Sequence, residues 1–361
     1  MSALALAPIT IVLSFTGVGS STMFVLAAAA LIPLAWLIGD ATEQASHHTG
    51  PGIGGFLNAS FGNAPELIIA LLAVNSGLTE VVRGSLTGSV VGNLLLVLGA
   101  SLAFGGKGQL DRYSSFLSLG LVAIATVVLL IPAVPGFSGA PDRHSIAVIS
   151  LPIAIVLLIA YLVVTWFSLR RHHSMHRSSD KPKLMGGWSF RHSLIVLGIA
   201  TGATVWVAEV LVGELEGFAE AAGLSEFFIA AVIVAIVGNA AEHGGAVVVA
   251  ARGNIKLAGE IALASSAQVA VLLIPAVAII SWAIDPLALS FRPVELATLG
   301  GATIFTALLL WRGRSTTWRG VLLLFAYAAV ATAFFIAGDR DSDHGSHSVQ
   351  APITTLLSSS M

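Results

Sequence analysis

Five residues, Gly62-Asn63-Ala64-Pro65-Glu66, recur as Gly238-Asn239-Ala240-Ala241-Glu242, each time inside a long apolar run. A carboxylate within a bilayer costs roughly 2.5–3.5 kcal/mol on insertion scales. A chain that carries this cost twice, in one G-N-A-x-E setting, has few folds open to it. The runs must be membrane helices, and the acids must face the bundle interior, where two of them meeting at the midplane would make an ion site. Only 10% of the 361 residues are charged and 56% are hydrophobic, against about 25% charged in a soluble domain. The expected class is an all-α integral membrane protein whose surroundings are the lipid bilayer. With no cysteine in the chain, disulfides, thiolate metal sites and cysteine nucleophiles are excluded. A net charge of −2 gives no reason to expect nucleic acid, and no obligate protein partner is evident.

On a ruler of about 20 apolar residues per span, eleven segments are expected. They lie near residues 3–18, 21–43, 51–75, 83–104, 115–134, 145–169, 192–214, 225–251, 257–283, 294–311 and 319–338. A basic, His-rich stretch containing His172, His173 and His176 separates the sixth from the seventh. The expected organisation is a leading helix (1–20), a five-helix unit (21–169), a loop (170–191), a second five-helix unit (192–338) and a polar, disordered tail (339–361). The halves match beyond the motif. Glu43 and Glu216 each end the span before it, and Gly88-Ser89 and Ala264-Ser265-Ser266-Ala267-Gln268 lie in the span after it. An odd number of spans per unit makes the second copy insert upside down. Inverted repeats of this kind hold substrate at the midplane on interrupted helices.

Span parity predicts orientation. Of the 17 Lys and Arg residues, only Arg83, Arg143, Arg292 and Arg340 fall in loops opposite the N-terminus, and the other thirteen share its side. The positive-inside rule places the N-terminus and the basic loop in the cytoplasm and the tail outside. The first residues lack the basic region of a secretory signal and read as a retained helix. With compact loops, a plasma (inner) membrane location is expected.

In each motif Asn and Glu stand at i and i+3, on one helix face. The glycine ahead loosens the helix, and Pro65 removes a backbone donor, freeing a carbonyl in the turn before it. Two copies supply two carboxylates, two amide oxygens and freed carbonyls. A hard-oxygen set of that kind suits Ca2+, which takes about 6–8 oxygens. Two uncompensated carboxylates in a dry site repel each other and lose hydration, so protons compete with a divalent cation for the same oxygens. Ca2+ and H+ are thus expected as transported substrates, with no cofactor. His243, which has Leu67 as its counterpart, either lines the cavity, where it could relay protons or tune the adjacent acid, or packs as a hydrogen-bonded histidine. Asn93, one turn after Ser89, either lines the cavity or ties two helices together. Glu209, without a matching acid, reads as a local cavity or helix-packing feature. The His-rich tracts, including His47-His48 and His344 with His347, read as solvated linkers rather than metal sites.

The stretches GFLNASFGNAPELIIALLAV and FFIAAVIVAIVGNAAEHGGAVVVA resemble the paired α-repeats of the calcium/cation antiporter superfamily. The Gly-Asn-Ala-x-Glu form, the preceding Ala-Thr-Glu and the Glu-His pair are most similar to its cation/proton exchanger family. The resemblance spans about residues 20–338 and implies a one-plus-five-plus-five helix fold and Ca2+/H+ exchange. It implies that Glu66 and Glu242 are the calcium and proton carboxylates, with Asn63 and Asn239 beside them and Gly62 and Gly238 in the motif backbone. Ser89 and Gln268, with Ser265 next to the latter, would line the cavity. Glu43 and Glu216 would lie on the proton or access path. Where that family's central segment is often acidic, this one is basic.

Three alternatives remain at this level. Sodium/calcium exchange would require additional hydroxyl ligands and weaker pH dependence. An intramembrane hydrolase would need a motif such as H-E-x-x-H or G-x-S-x-G, which the chain lacks. A passive channel has little use for single acids on two inverted repeats.

Overall fold

The structure, a computed structural model, describes residues 2–175 and 187–340. The expectations for His176, His344, His347 and the disordered tail lie outside the described residues. Helices dominate: α1 (Leu6–Leu13), α2 (Ser20–Gly62), α3 (Ala64–Asn75), α4 (Thr79–Gly105), α5 (Arg112–Gly136), α6 (His144–Met175), α7 (Phe190–Gly213), α8 (Leu215–Ala222), α9 (Glu226–Gly238), α10 (Ala240–Ala251), α11 (Ile255–Ala283), α12 (Pro293–Leu310) and α13 (Thr317–Ala337).

Eight helices among the described residues are long and apolar enough to cross a membrane: α2 over Ser20–Thr49, and α4, α5, α6, α7, α11, α12 and α13. The expected first, third and eighth spans do not pass that test. The first is a short apolar helix, Ala3–Leu13. The third and eighth contain the motif, and the helix is cut there. α3 starts after Asn63 (φ −93°, ψ 12°) and α10 after Asn239 (φ −94°, ψ 9°). Pro65 sits in the first turn of α3, the helical position a proline tolerates. Hydropathy registers one apolar run where the backbone makes two pieces.

α2 also runs on through the expected gap between the second and third spans. It is sharply bent there: a Cβ on Gly54 would lie 2.9 Å from the Ser46 carbonyl oxygen, whereas eight residues of straight helix rise about 12 Å. Charge and glycine content predict a loop, and the chain turns back without leaving helical hydrogen bonding.

The two helices that follow the motifs form the centre. Of its most apolar window α4 buries 83% and α11 67%, against 17% for peripheral α13. Both carry a π-turn, at Gly92–Val97 and Val269–Leu273, and a third lies at Ile229–Val234 in α9. Such bulges occur where a helix is adapted to a site.

Loop contacts sort into two faces. On one face, Gly108–Gln109 pairs antiparallel with Arg314–Ser315. There Lys256 meets Asp111 at 3.6 Å, and His48 Nε2 lies 2.8 Å from the Trp188 carbonyl. His48 is thereby a helix-to-loop tie, not a free linker residue. A hydrogen bond from Ser114 N–H holds the Asp111 carboxyl below its usual range. On the other face, Arg83 reaches Asp142 and the Ala288 carbonyl, Arg340 reaches the Ser290 carbonyl, and Asp339 accepts from Phe227 N–H.

Candidate functional site: two crossed motifs at the floor of an acidic vestibule

Each motif is built against the other. A Cβ added at Gly238 would sit 2.8 Å from Glu66 Cγ, and one at Gly62 would sit 3.4 Å from Glu242 Oε1. The glycines therefore do more than loosen the helix: each leaves room for the glutamate of the opposite half. The asparagines cross in the same way. Asn63 Nδ2 donates to Gln268 Oε1 at 3.3 Å, and Asn239 Nδ2 donates to Ser89 Oγ at 2.8 Å. Motif residues of one half thus bond to the span after the motif in the other half. Glu66 and Glu242 lie in the first turns of α3 and α10, where the helix dipole favours negative charge. The carbonyl expected to be freed by Pro65 is not free, because the Asn63 N–H takes the Phe61 oxygen.

Glu66 is 7% exposed and shares the small pocket with Ser89. Several side-chain oxygens around the crossing are buried without a hydrogen-bond partner: Glu66 Oε1, Glu242 Oε2, Asn93 Oδ1 and Ser265 Oγ. Buried acceptors left unpaired are costly in any fold, and carboxylate, amide and hydroxyl oxygens are the ligand types a hard cation takes. No cluster of three His, Asp or Glu side chains suited to a metal exists among the described residues. A cation held here would take two carboxylates and make up its number from neutral oxygens.

The environments of the two acids differ. Glu242 lines a vestibule of about 840 Å³ together with Gly62, Ser265 and Gln268, and with Asp40, Glu43, His47 and Glu260 toward its mouth. Its described lining holds four carboxylates and no Lys or Arg. Glu66 lines only a pocket of about 10 Å³ with Ser85, Ser89 and Val234.

Several sequence expectations change. Ser89 and Asn93 do not line the vestibule. Ser89 lies in the small pocket, and Asn93 Nδ2 donates to Asn239 Oδ1 at 3.3 Å, the helix-to-helix tie. His243 is absent from both linings. On α10 the vestibule takes positions 241, 242, 245 and 246, and position 243 turns about 100° away from Glu242. Its Nε2 is buried without a partner. Glu43 does line the vestibule, 3.8 Å from His47. Glu216 does not, since it sits exposed on α8, whose Gly217 packs on Ser20 at the start of α2. The match between Glu43 and Glu216 places them in corresponding positions of the halves, and those positions lie on different faces. Glu209 is exposed on α7, one turn from the helix end, rather than packed.

Asp40 and Glu260 were missed. Their signal was spacing: Asp40 and Glu43 stand at i and i+3 on α2, and Glu260, Ala264 and Gln268 stand at i, i+4 and i+8 on α11, each on one helix face.

Interrupted helices whose broken ends carry acids and cross one another are the arrangement in which secondary transporters hold their ions. Comparison with known proteins makes this particular. The chain matches the family described as sodium/calcium exchanger protein over residues 19–170 and 192–336, and it belongs to that family. It is 35% identical to the Ca(2+)/H(+) antiporter of Synechocystis sp., covering 91% of this chain and 94% of that protein. It is 36% identical to the Ca(2+)/H(+) antiporter ChaA of Bacillus subtilis (91% and 96%) and to the vacuolar calcium ion transporter of Schizosaccharomyces pombe (91% and 82%). Among solved structures, native YfkE superposes with a TM-score of 0.79 at 34% identity, covering 92% of this chain and 98% of that one. The H+/Ca2+ exchanger CAX shares the fold, with a TM-score of 0.70 at 17% identity, covering 93% and 91%.

Proposed function

We propose that this protein is a Ca2+/H+ antiporter that moves calcium out of the cytoplasm in exchange for protons. Glu66 and Glu242 form one site near the bilayer midplane, occupied alternately by Ca2+ and by protons. The observation that carries this reading is the set of unpaired oxygens on Glu66, Glu242, Asn93 and Ser265 at the crossing of the two motifs. The relatives named for calcium and proton exchange support the choice of ions. The halves act as inverted repeats, so a site open to one face in this state opens to the other by rocking of one half against its partner. The vestibule opens on the face of the basic loops, which the charge bias assigns to the cytoplasm. The location proposed is the plasma membrane.

The test is uptake of radiolabelled calcium into proteoliposomes under an imposed pH gradient. Uptake should follow the proton gradient, need no sodium, and be lost in both Glu66→Gln and Glu242→Gln. A requirement for a sodium gradient would move the chain to sodium/calcium exchange, and activity retained in either variant would remove the two-glutamate site.

A further inference from the structure

The face opposite the vestibule holds a buried charge cluster drawn from expected loops and the span ends beside them. Arg83 is 0% exposed. Its guanidinium bonds Glu80 Oε1 at 2.6 Å, Asp142 Oδ1 at 2.6 Å and the Ala288 carbonyl at 3.0 Å. Arg340 Nε lies 3.5 Å and Arg292 Nη1 3.9 Å from Glu80. Glu295, also 0% exposed, accepts from Arg292 N–H at 2.6 Å and from Thr87 Oγ1 at 3.1 Å. Glu80, Arg83 and Asp142 belong to the first half, and Ala288, Arg292, Glu295 and Arg340 to the second. The cluster ties the halves together on this face.

Beneath it the same two halves meet in a tight seam between α4 and α9. A Cβ on Gly84 would fall 3.0 Å from Phe227 Cδ2, and one on Gly88 would fall 1.9 Å from the Ala231 carbonyl oxygen. Phe227 lies under the Arg292 guanidinium at 4.5 Å. The small pocket of Ser85, Ser89 and Glu66 lies beside the seam, on the same turns of α4, with Ala235 touching both. The charge cluster of Glu80 and Arg83 sits one turn nearer the face than this pocket.

We infer that Arg83, bridging Glu80 and Asp142, is a positioning residue for exchange: it closes the route from Glu66 to the face opposite the vestibule, and the route opens when these ion pairs part. The reason is the chemistry of the contact. Well-packed apolar side chains hold a static interface at least as firmly as a buried ion pair. An apolar interface, however, exposes its surface to water each time it opens, whereas charged groups that part into water are rehydrated. Contacts that break and re-form favour the second kind. The inference rests on alternating access as proposed above, but not on which ions are carried.

The chain has no cysteine, so single reporters can be introduced without background. Ser85→Cys reports the pocket beside Glu66. Gly39→Cys, where an added Cβ meets nothing within 4 Å, reports the vestibule. Each is labelled with a membrane-impermeant thiol reagent, Ser85→Cys from the opposite face and Gly39→Cys from the vestibule face. In Arg83→Gln, Ser85→Cys should label about tenfold faster, the equivalent of about 1.4 kcal/mol, while Gly39→Cys slows. Arg83→Lys, which keeps charge but loses the fork, should fall between. If Arg83→Gln does not fold, Asp142→Asn, whose side chain is 42% exposed, should shift both reporters in the same directions. An unchanged Ser85→Cys rate in the folded variants would overturn the inference, as would both reporters accelerating together, which is general loosening. Labelling requires no calcium movement, so failure here is distinct from failure of the exchange reading.

Discussion

Glu66 and Glu242 hold the same place in the same motif, yet one faces a vestibule of about 840 Å³ and the other a pocket of about 10 Å³. The letters around them are nearly symmetric and their access is not. Under the alternating access proposed above, that asymmetry is a property of the state of the molecule. What differs is what the two halves do to each other: on Glu242's side they leave a gap, and on Glu66's side they close a glycine seam under a charge cluster. If the two acids serve one site, exchanging open and closed faces exchanges their environments.

The comparison breaks most sharply on side-chain length. Shortening each acid by one methylene should expose the difference in packing. Glu66→Asp withdraws the carboxylate from its place beside Ser89 in a pocket too small to admit a bridging water network. A misplacement on that scale costs about 100-fold in rate. Glu242→Asp withdraws into the open vestibule, where water bridges the gap at little cost, and about tenfold is expected. Initial rates of calcium uptake driven by a pH gradient measure both. Equal losses would mean that the two acids are packed alike during turnover and that this asymmetry is not used.

Next in size are the glycines. Gly238→Ala drives a methyl group to 2.8 Å from Glu66 Cγ, while Gly62→Ala places one at an ordinary 3.4 Å from Glu242 Oε1. Overpacking costs about 1–3 kcal/mol, which here falls on the position of a ligand. Gly238→Ala should raise the apparent KM for calcium about tenfold or more, and Gly62→Ala less than about threefold. A reversed order, read from calcium titrations of uptake, would contradict the crossed packing.

How much of this was legible in the sequence follows from where the physical signal lies. The doubled motif was legible because an acid in an apolar run is costly and repetition is visible without coordinates. The helix breaks at Asn63 and Asn239 were partly legible, through Gly and Pro. The crossing was not: whether Gly62 faces its own glutamate or that of the other half is a tertiary fact, and either arrangement has the same spacing. Arg83 was misassigned for a related reason. Counted as a free loop charge, it is a buried ion whose partners lie 59 residues away at Asp142 and 205 away at Ala288. Three of the four arginines that oppose the positive-inside bias are drawn into this acidic cluster, so the bias in free charge is stronger than the count. His243 was assigned to the cavity by adjacency to Glu242, although adjacent residues on a helix point about 100° apart.

The smallest expected effect concerns Asp40 and Glu260. Neither makes a hydrogen bond or ion pair among the described residues, and both line the vestibule with Glu43 above Glu242. Lys256, one turn from Glu260, is committed to Asp111. A concave wall carrying one sign of charge raises the local concentration of the opposite ion, and this contribution is screened by salt. Asp40→Asn and Glu260→Gln should each raise the apparent KM for calcium only about two- to threefold, with maximal rate unchanged, and the effect should shrink as ionic strength rises. Nothing comparable is expected for Glu216→Gln measured from the vestibule face, because Glu216 lies exposed on α8, outside the vestibule lining. That contrast is the sharpest use of the pair. If Glu216→Gln raised KM from the vestibule face as much as Glu260→Gln does, the two faces would not be separated in the way the packing requires. If only Asp40 and Glu260 respond, the symmetry of the sequence and the asymmetry of the state are read out in one titration.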